Sequence, residues 1–341
     1  MPIMPPSFPT SSNARINADV AEASTSIHRI PTGPVLAATD GRATADPALI
    51  AAGMLAQQLG ADVRVFSVME PLPKPSDDGT FRERCSLTTG PIREGQRTLL
   101  EVAIQTQLLL TCGTPSEWPL TIHEGPLGPT SRQIALDTGA QAITIARHRH
   151  SMMGRVLGQD SMVRILEWAT TPVYIALESS TTIATRAVVG IDFSSASLQA
   201  ARYAERLLAE DGTLYLVHVY PLATMRTPVS LELACRIDEA RHALAEIRRQ
   251  LPCRPGIQVQ PIVLFGTPAA ELLAFAEAVH ATLVAAGTRA VTPPRALRNR
   301  LHRNSVALQL IDRAPCPILV VPDRQVRDGS SSSNNRSLTA S

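Results

Sequence analysis

Short unbroken apolar runs recur along the chain, and each is followed by a stretch whose apolar positions repeat with helical spacing. Pro34-Val-Leu-Ala-Ala-Thr-Asp40 leads into an Ala-rich segment over Pro47–Leu59, and Arg186-Ala-Val-Val-Gly-Ile-Asp192 into a similar one over Ser195–Ala209. Val63–Val68 and Thr213–Val219 come next, then Ala142–Ala146 and Leu283–Gly287, and finally Thr171–Ala176 and Cys316–Val321. The runs are continuous rather than alternating, which predicts strands covered by helices on both faces. Strands alternating with helices predict a parallel sheet with right-handed crossovers.

The same order of landmarks appears twice. The offsets run from 141 residues (Gly125 to Gly266, Ala146 to Gly287) to 152 residues (Asp40 to Asp192). That period is far longer than a solenoid repeat and matches a whole domain. The chain therefore reads as a duplication, with one copy over 31–178 and the other over 185–323. Each copy carries five strands in the order expected of a doubly wound, flavodoxin-like sheet. Ligands of such sheets sit beyond the carboxyl ends of the strands, where strand order reverses. Asp40 and Asp192 end the first strand of their copies, and Ala146 and Gly287 end the fourth, so these four positions flank the expected crevice.

Composition narrows the chemistry. The formal net charge is +2 over 341 residues, so nucleic acid and anionic membrane are not expected partners. Of 32 basic residues only Lys74 is a lysine. It lies in Pro-Leu-Pro-Lys-Pro-Ser-Asp-Asp, a loop by composition, which excludes a Walker-type loop or a Schiff-base lysine. The five cysteines, Cys85, Cys112, Cys235, Cys253 and Cys316, form no Cys-x-x-Cys pair, a usage that suits a reducing cytoplasm. No run of 18 apolar residues predicts a membrane span. Residues 1–30 read as a flexible lead-in without secretory character, and 325–341 as a disordered tail.

The candidate chemistry gathers in the second copy. Asp192 is followed by Phe193 and by Ser194, which suits the cap of the next helix; Asp192 either faces a ligand or caps that helix itself. Gly266-Thr-Pro-Ala-Ala-Glu271 reads as a structural turn with Pro in the first helical turn and Glu271 complementing the dipole. Gly287-Thr-Arg-Ala290 lets backbone approach a ligand at a strand end. Asn304-Ser305-Val306 opens a helix whose N–H groups and hydroxyl suit phosphate. Arg289, Arg295, Arg298, Arg300 and Arg303 lie between, as phosphate contacts or a solvated basic loop. His148 and His150 read as an exposed loop rather than metal ligands, so no metal site is identified. His218 reads as a packed histidine with one hydrogen bond, and Cys316 as a buried thiol. No Gly-x-Ser-x-Gly, His-Glu-x-x-His or Gly-x-Gly-x-x-Gly motif occurs.

Taken together, the strand-ending Asp192, Gly266-Thr-Pro-Ala, Gly287-Thr-Arg, Ser305-Val306-Ala and Ala314-Pro-Cys-Pro-Ile-Leu-Val-Val resemble a universal stress protein domain. The resemblance covers Thr185–Pro322 closely and Pro31–Leu177 more weakly, so the chain resembles a tandem member of that family. Some members bind ATP through a Gly, a second Gly three residues later, and a Gly-Ser pair after nine more. Carried over, the resemblance implies that Asp192 faces the adenosine, Val219 lines the base pocket, Gly287 is the first Gly and Ser305 with Val306 the phosphate-binding pair. Ala290 stands for the second Gly and Asn304 for the Gly before Ser305, with thirteen residues between them. A methyl at Ala290 takes up clearance at that position. In the first copy Asp40 and Val68 match, Ala146 and Arg149 replace the two glycines, and Gln159-Asp160-Ser161 stand at the phosphate position. Asp160 would repel a phosphate, and Arg149 would pair with it, so that copy is not expected to hold a nucleoside triphosphate.

The resemblance thus implies a non-enzymatic regulatory protein of stress response, at most a slow ATP hydrolase, taking ATP or AMP in its second domain. It also implies pairing of the two domains through the edges Val173–Leu177 and Ile318–Val321, a homo-oligomer, and a protein partner. The alternative is an interaction scaffold with both pockets degenerate. An acyl-adenylating enzyme of the wider adenine nucleotide alpha hydrolase-like group ranks lowest, because no Ser-Gly-Gly-type loop follows the first strand.

Overall fold

The computed structural model describes residues 32–71, 82–113, 118–147, 161–178, 182–221, 231–288 and 305–323. In the first half these form β1 (Val35–Ala38), α1 (Asp46–Leu59), β2 (Val63–Met69), α2 (Arg82–Cys112), β3 (Leu120–Glu124), α3 (Leu127–Thr138), β4 (Ala142–Ala146), α4 (Ser161–Trp168) and β5 (Val173–Ala176). In the second half they form β6 (Ala184–Gly190), α5 (Ser195–Arg206), β7 (Leu208–Tyr220), α6 (Leu231–Gln250), β8 (Gln258–Phe265), α7 (Pro268–Ala278), β9 (Leu283–Thr288), α8 (Val306–Arg313) and β10 (Ile318–Pro322).

One ten-stranded sheet runs in the order β3-β2-β1-β4-β5-β10-β9-β6-β7-β8. Each half is parallel, and the same order holds in both: third strand outermost, then second, first, fourth and fifth. The order reverses between the first and fourth strands, which places a crevice at β1/β4 and another at β6/β9. The halves join where β10 runs antiparallel to β5, with Ile318 opposite Ile175, Leu319 opposite Tyr174 and Val320 opposite Val173. Two apolar edges that would otherwise be open to intermolecular strand pairing thereby satisfy each other.

The unbroken apolar strands are explained by a helix layer on each face. On one face Val35, Ala37, Val63 and Val65 pack with Leu49, Leu55, Ile104 and Leu108, and the same cluster continues through Val189, Leu214, Leu198, Ala201 and Leu244 into the second half. On the other face Phe66, Ile143 and Ile175 pack under Ile134 and Ile165, together with Ile311 and Ile318 of the second half. A third cluster, with Val188, Val219, Leu272, Ala286 and Leu310, fills the far end of that face. Nearly all these side chains are fully removed from solvent, and their burial is the dominant stabilising term.

One expected boundary differs. The helix read over Ser195–Ala209 stops at Arg206, and Leu208 already pairs with Ala184. Arg254 explains the stop. Its Nη2 donates to Glu205 O at 2.6 Å and to Leu208 O at 2.7 Å, while its own N–H and Nε donate to the buried Glu205 carboxylate at 2.9 and 3.1 Å. A cation holding the last carbonyls ends the helix from outside it.

Candidate functional site

The two crevices are built from equivalent loops and differ in what fills them. Each first strand ends in an aspartate that closes a tight turn on the residue two positions later. Asp40 Oδ1 accepts from Arg42 N at 3.1 Å, and Asp192 Oδ1 accepts from Ser194 N at 3.0 Å and from Ser194 Oγ. Asx turns of this kind order a loop locally. The helix after Asp192 is capped by Ser194, whose Oγ accepts from Ser197 N at 3.3 Å. Asp192 holds the cap rather than serving as one, and both aspartates are exposed at the crevice mouth.

Ladder registers bring the second-half candidates together. Gly190 lies opposite Val217 on one side and Ala286 on the other, so the Asp192 loop sits between Val219 and Gly287. Val219 and Ala286 share one buried cluster, and Val306 packs against it. Ser305 is the N-cap residue of α8; its backbone O accepts from Gln309 N at 3.1 Å, while its hydroxyl makes no capping bond. The first N–H groups of α8 have no intrahelical acceptor and carry the positive end of the helix dipole. Ala290 and Asn304, and the five arginines between Thr288 and Asn304, lie outside the described residues, as do Arg149, Gln159, Asp160, His148, His150 and Lys74.

Gly287 has a reason of its own. A Cβ there would stand 2.5 Å from Ser197 N and 2.6 Å from Ala196 C. The glycine lets the first turn of α5 seat directly on the end of β9, so close packing accounts for it before any ligand is considered.

Sequence reasoning missed two features. In the first half Gln107, on α2, reaches the loop after β1. Thr39 Oγ1 donates to its Oε1 at 2.7 Å, and its Nε2 donates to Arg42 O and to Asp46 Oδ1, each at 2.6 Å. Ala103 and Ile104 of the same helix lie against Gly41, which has a φ of +77°. The signal was present: Gln107 is a polar residue on the face that also carries Ile104 and Leu108. In the second half a row of rings crosses the strand ends. Phe193 and His218 are 4.7 Å apart between centroids, and His218–Tyr220 and Tyr220–Phe265 are each 6.5 Å apart. His218 and Tyr220 alternate on β7, so period-two spacing put both on one face. His218 Nδ1 donates to Ile191 O at 2.8 Å, which fixes its proton, and Arg236 donates to Tyr220 Oη at 3.0 Å. Phe193 takes a φ of +64°, a strained conformation for a bulky residue.

Cys316 is buried, and that burial pushes its thiol up to about 11, against an opposing pull from Arg147. A thiol so placed is inert at neutral pH. Among the described residues no group of three or more His, Cys, Asp or Glu is placed to hold a metal ion. No described helix is long and apolar enough to cross a membrane.

Comparison with known proteins follows the internal repeat. The Universal stress protein family matches twice, over residues 32–176 and 184–322. A universal stress protein of Methanocaldococcus jannaschii is 32% identical over 140 residues, 39% of this chain and 79% of that protein. The crystal structure of a universal stress protein from Archaeoglobus fulgidus superposes with a TM-score of 0.57 at 19% identity, covering 86% of this chain and 97% of that one. Another, the universal stress protein from Archaeoglobus fulgidus in complex with dAMP, covers 41% of this chain and 99% of its own, at 20% identity and a TM-score of 0.29.

Proposed function

The chain belongs to the universal stress protein family through both of its halves, and from that premise we propose that it is a non-enzymatic regulator whose second half binds an adenine nucleotide, ATP or AMP, while its first half binds none. The observation that carries this reading is the head of α8. There Ser305 leaves its hydroxyl out of the cap, the first N–H groups of α8 lack intrahelical acceptors, and Val306 packs against the cluster that holds Val219 and Ala286. With one lysine in the whole sequence, phosphate would be held by backbone N–H groups, Ser305 and arginine.

The first half supports the other side of the proposal. Gln107 occupies the β1 loop with three hydrogen bonds, and α2 packs over Gly41. Opening that crevice would break a satisfied buried network, which costs more than its bonds contribute when formed. The antiparallel β5–β10 ladder then lets the chain act as a pair of domains in one polypeptide, working in the cytoplasm through a protein partner.

A second reading rests on a specific observation. Both aspartates are accounted for by their turns and Gly287 by its packing, so the residues kept at the crevice also fit an interaction scaffold that holds no nucleotide. Calorimetry of the full chain with ATP and with AMP separates the two. One site per chain, weakened by Ser305→Ala and unchanged by Gln107→Leu, supports nucleotide binding in the second half. Two sites, or a Ser305→Ala variant that binds as the parent does, overturns it, and no heat with either nucleotide leaves the scaffold.

A further inference from the structure

Helix α2 is apolar on two faces, and only one of them meets the sheet. Ile104 and Leu108 are fully buried, with Leu100 packed beside them. On the opposite side Ile92, Leu99, Val102 and Leu109 are exposed, Leu99 to 72%, and Leu110 beside them to 80%. From residue 91 to 99 every residue but Arg93, which reaches Glu70 O and the Glu124 carboxylate, is exposed, so this part of the helix leaves its outer side uncovered. Scattered exposed apolar residues need no explanation, but a continuous stripe does.

The stripe has a heptad repeat. Ile92, Leu99 and Thr106 fall at one position of the seven, and Gly95, Val102 and Leu109 at the other seam position. The one hydroxyl on the seam is turned inward: Thr106 Oγ1 donates to Val102 O at 2.8 Å, which leaves its methyl on the surface. The positions flanking the seam, Gln96, Thr98, Ala103 and Gln105, carry no charge. Thr98 likewise returns its hydroxyl to Glu94 O at 3.0 Å.

The stripe is also complementary to itself when reversed. About a two-fold axis midway between Leu99 and Val102, Ile92 meets Leu109 of a second copy, Gly95 meets Thr106, and Leu99 meets Val102. Every layer joins one seam position to the other, as antiparallel helix packing requires, and the smallest residue opposes the one whose side chain is folded back. A closed two-fold contact of this kind needs the same patch on both copies. It covers residues 92–109, a span of about 27 Å at 1.5 Å per residue. The edges β5 and β10 pair within the chain, so a second copy has to dock elsewhere.

We propose that α2 is the homodimer interface of this protein, pairing antiparallel with α2 of a second copy through Ile92, Leu99, Val102, Thr106 and Leu109. Sedimentation equilibrium of the full chain across a concentration series tests it. The parent approaches twice the mass of one chain as concentration rises, and the double variant Leu99→Glu/Val102→Glu stays at the mass of one chain with an unchanged far-ultraviolet circular dichroism spectrum. A parent that remains monomeric throughout overturns the proposal, including the case in which another segment of the same chain covers the stripe. So does a double variant that still dimerises. Oxidation of cysteine variants reads the direction independently. Leu99→Cys/Val102→Cys forms a covalent dimer above the parent's background, and neither single variant does. Self-linking by Val102→Cys alone would mean a parallel seam and overturn the antiparallel one.

Discussion

Arg147, the residue that follows β4 in the first half, caps a helix of the second: its Nη1 donates to Ala314 O at 2.9 Å and to Ile311 O at 2.8 Å. These carbonyls close the last turn of α8, the helix whose other end carries Ser305. The cation sits at the negative end of the dipole and satisfies acceptors that lack intrahelical donors. One side chain therefore fastens the first half to the element on which the candidate nucleotide site depends.

Arg147→Ala removes two charge-assisted bonds from partly buried carbonyls. The expected loss of stability is about 2 kcal/mol, in the range for hydrogen bonds to charged groups. Urea denaturation of the full chain reads it as a lower midpoint. Arg147→Lys recovers only part, because one ammonium does not reproduce the planar fork.

Gln107→Leu keeps most of the volume but deprives Thr39, Arg42 O and Asp46 of their partner. The expected cost is about 2 kcal/mol. Gln107→Glu costs more at neutral pH, since it sets a carboxylate against Asp46, where Gln107 Nε2 now lies 2.6 Å from Oδ1. Each carboxylate then has its pKa raised by the other in the folded state, so the variant regains stability as pH falls through the carboxylate range. A parent-to-variant difference in urea midpoint that does not shrink on acidification would contradict the assigned contacts.

Gly287→Ala places a methyl 2.5 Å from Ser197 N, a backbone atom that cannot rotate away. Overpacking of this kind costs roughly 1–3 kcal/mol. Adding Ala196→Gly removes the neighbouring side-chain contact at 2.9 Å but not the backbone one. The double variant is therefore expected to melt no higher than Gly287→Ala, as read by calorimetric scans.

Cys316 should resist thiol reagents in the native protein at neutral pH, because burial holds its thiol near 11 and little thiolate forms. Peptide mapping after brief maleimide treatment checks this. Labelling of Cys316 is expected only in denaturant or as pH climbs toward that value. Rapid native labelling would mean that the β10 entry is open.

The duplication, the ten strands and the placement of Asp192, Val219 and Gly287 at strand ends were legible along the chain, because each rests on a pattern local to its own segment. An unbroken apolar run declares a strand covered on both faces, and an Asp after it declares where the strand stops. What those residues do was decided elsewhere. Gln107 lies 68 residues from Thr39, and Arg147 lies 167 from Ala314; no local period relates them, and only the stacking of helices on the sheet brings them within 3 Å. Gly287 suggested clearance for a ligand, and the structure adds a packing need of its own against α5, since sequence reports a missing side chain but not the atom that needs the space. The stripe on α2 stands between the two cases: its heptad is written in the sequence, but that it faces away from the core follows only from Ile104 and Leu108 having turned the other side inward.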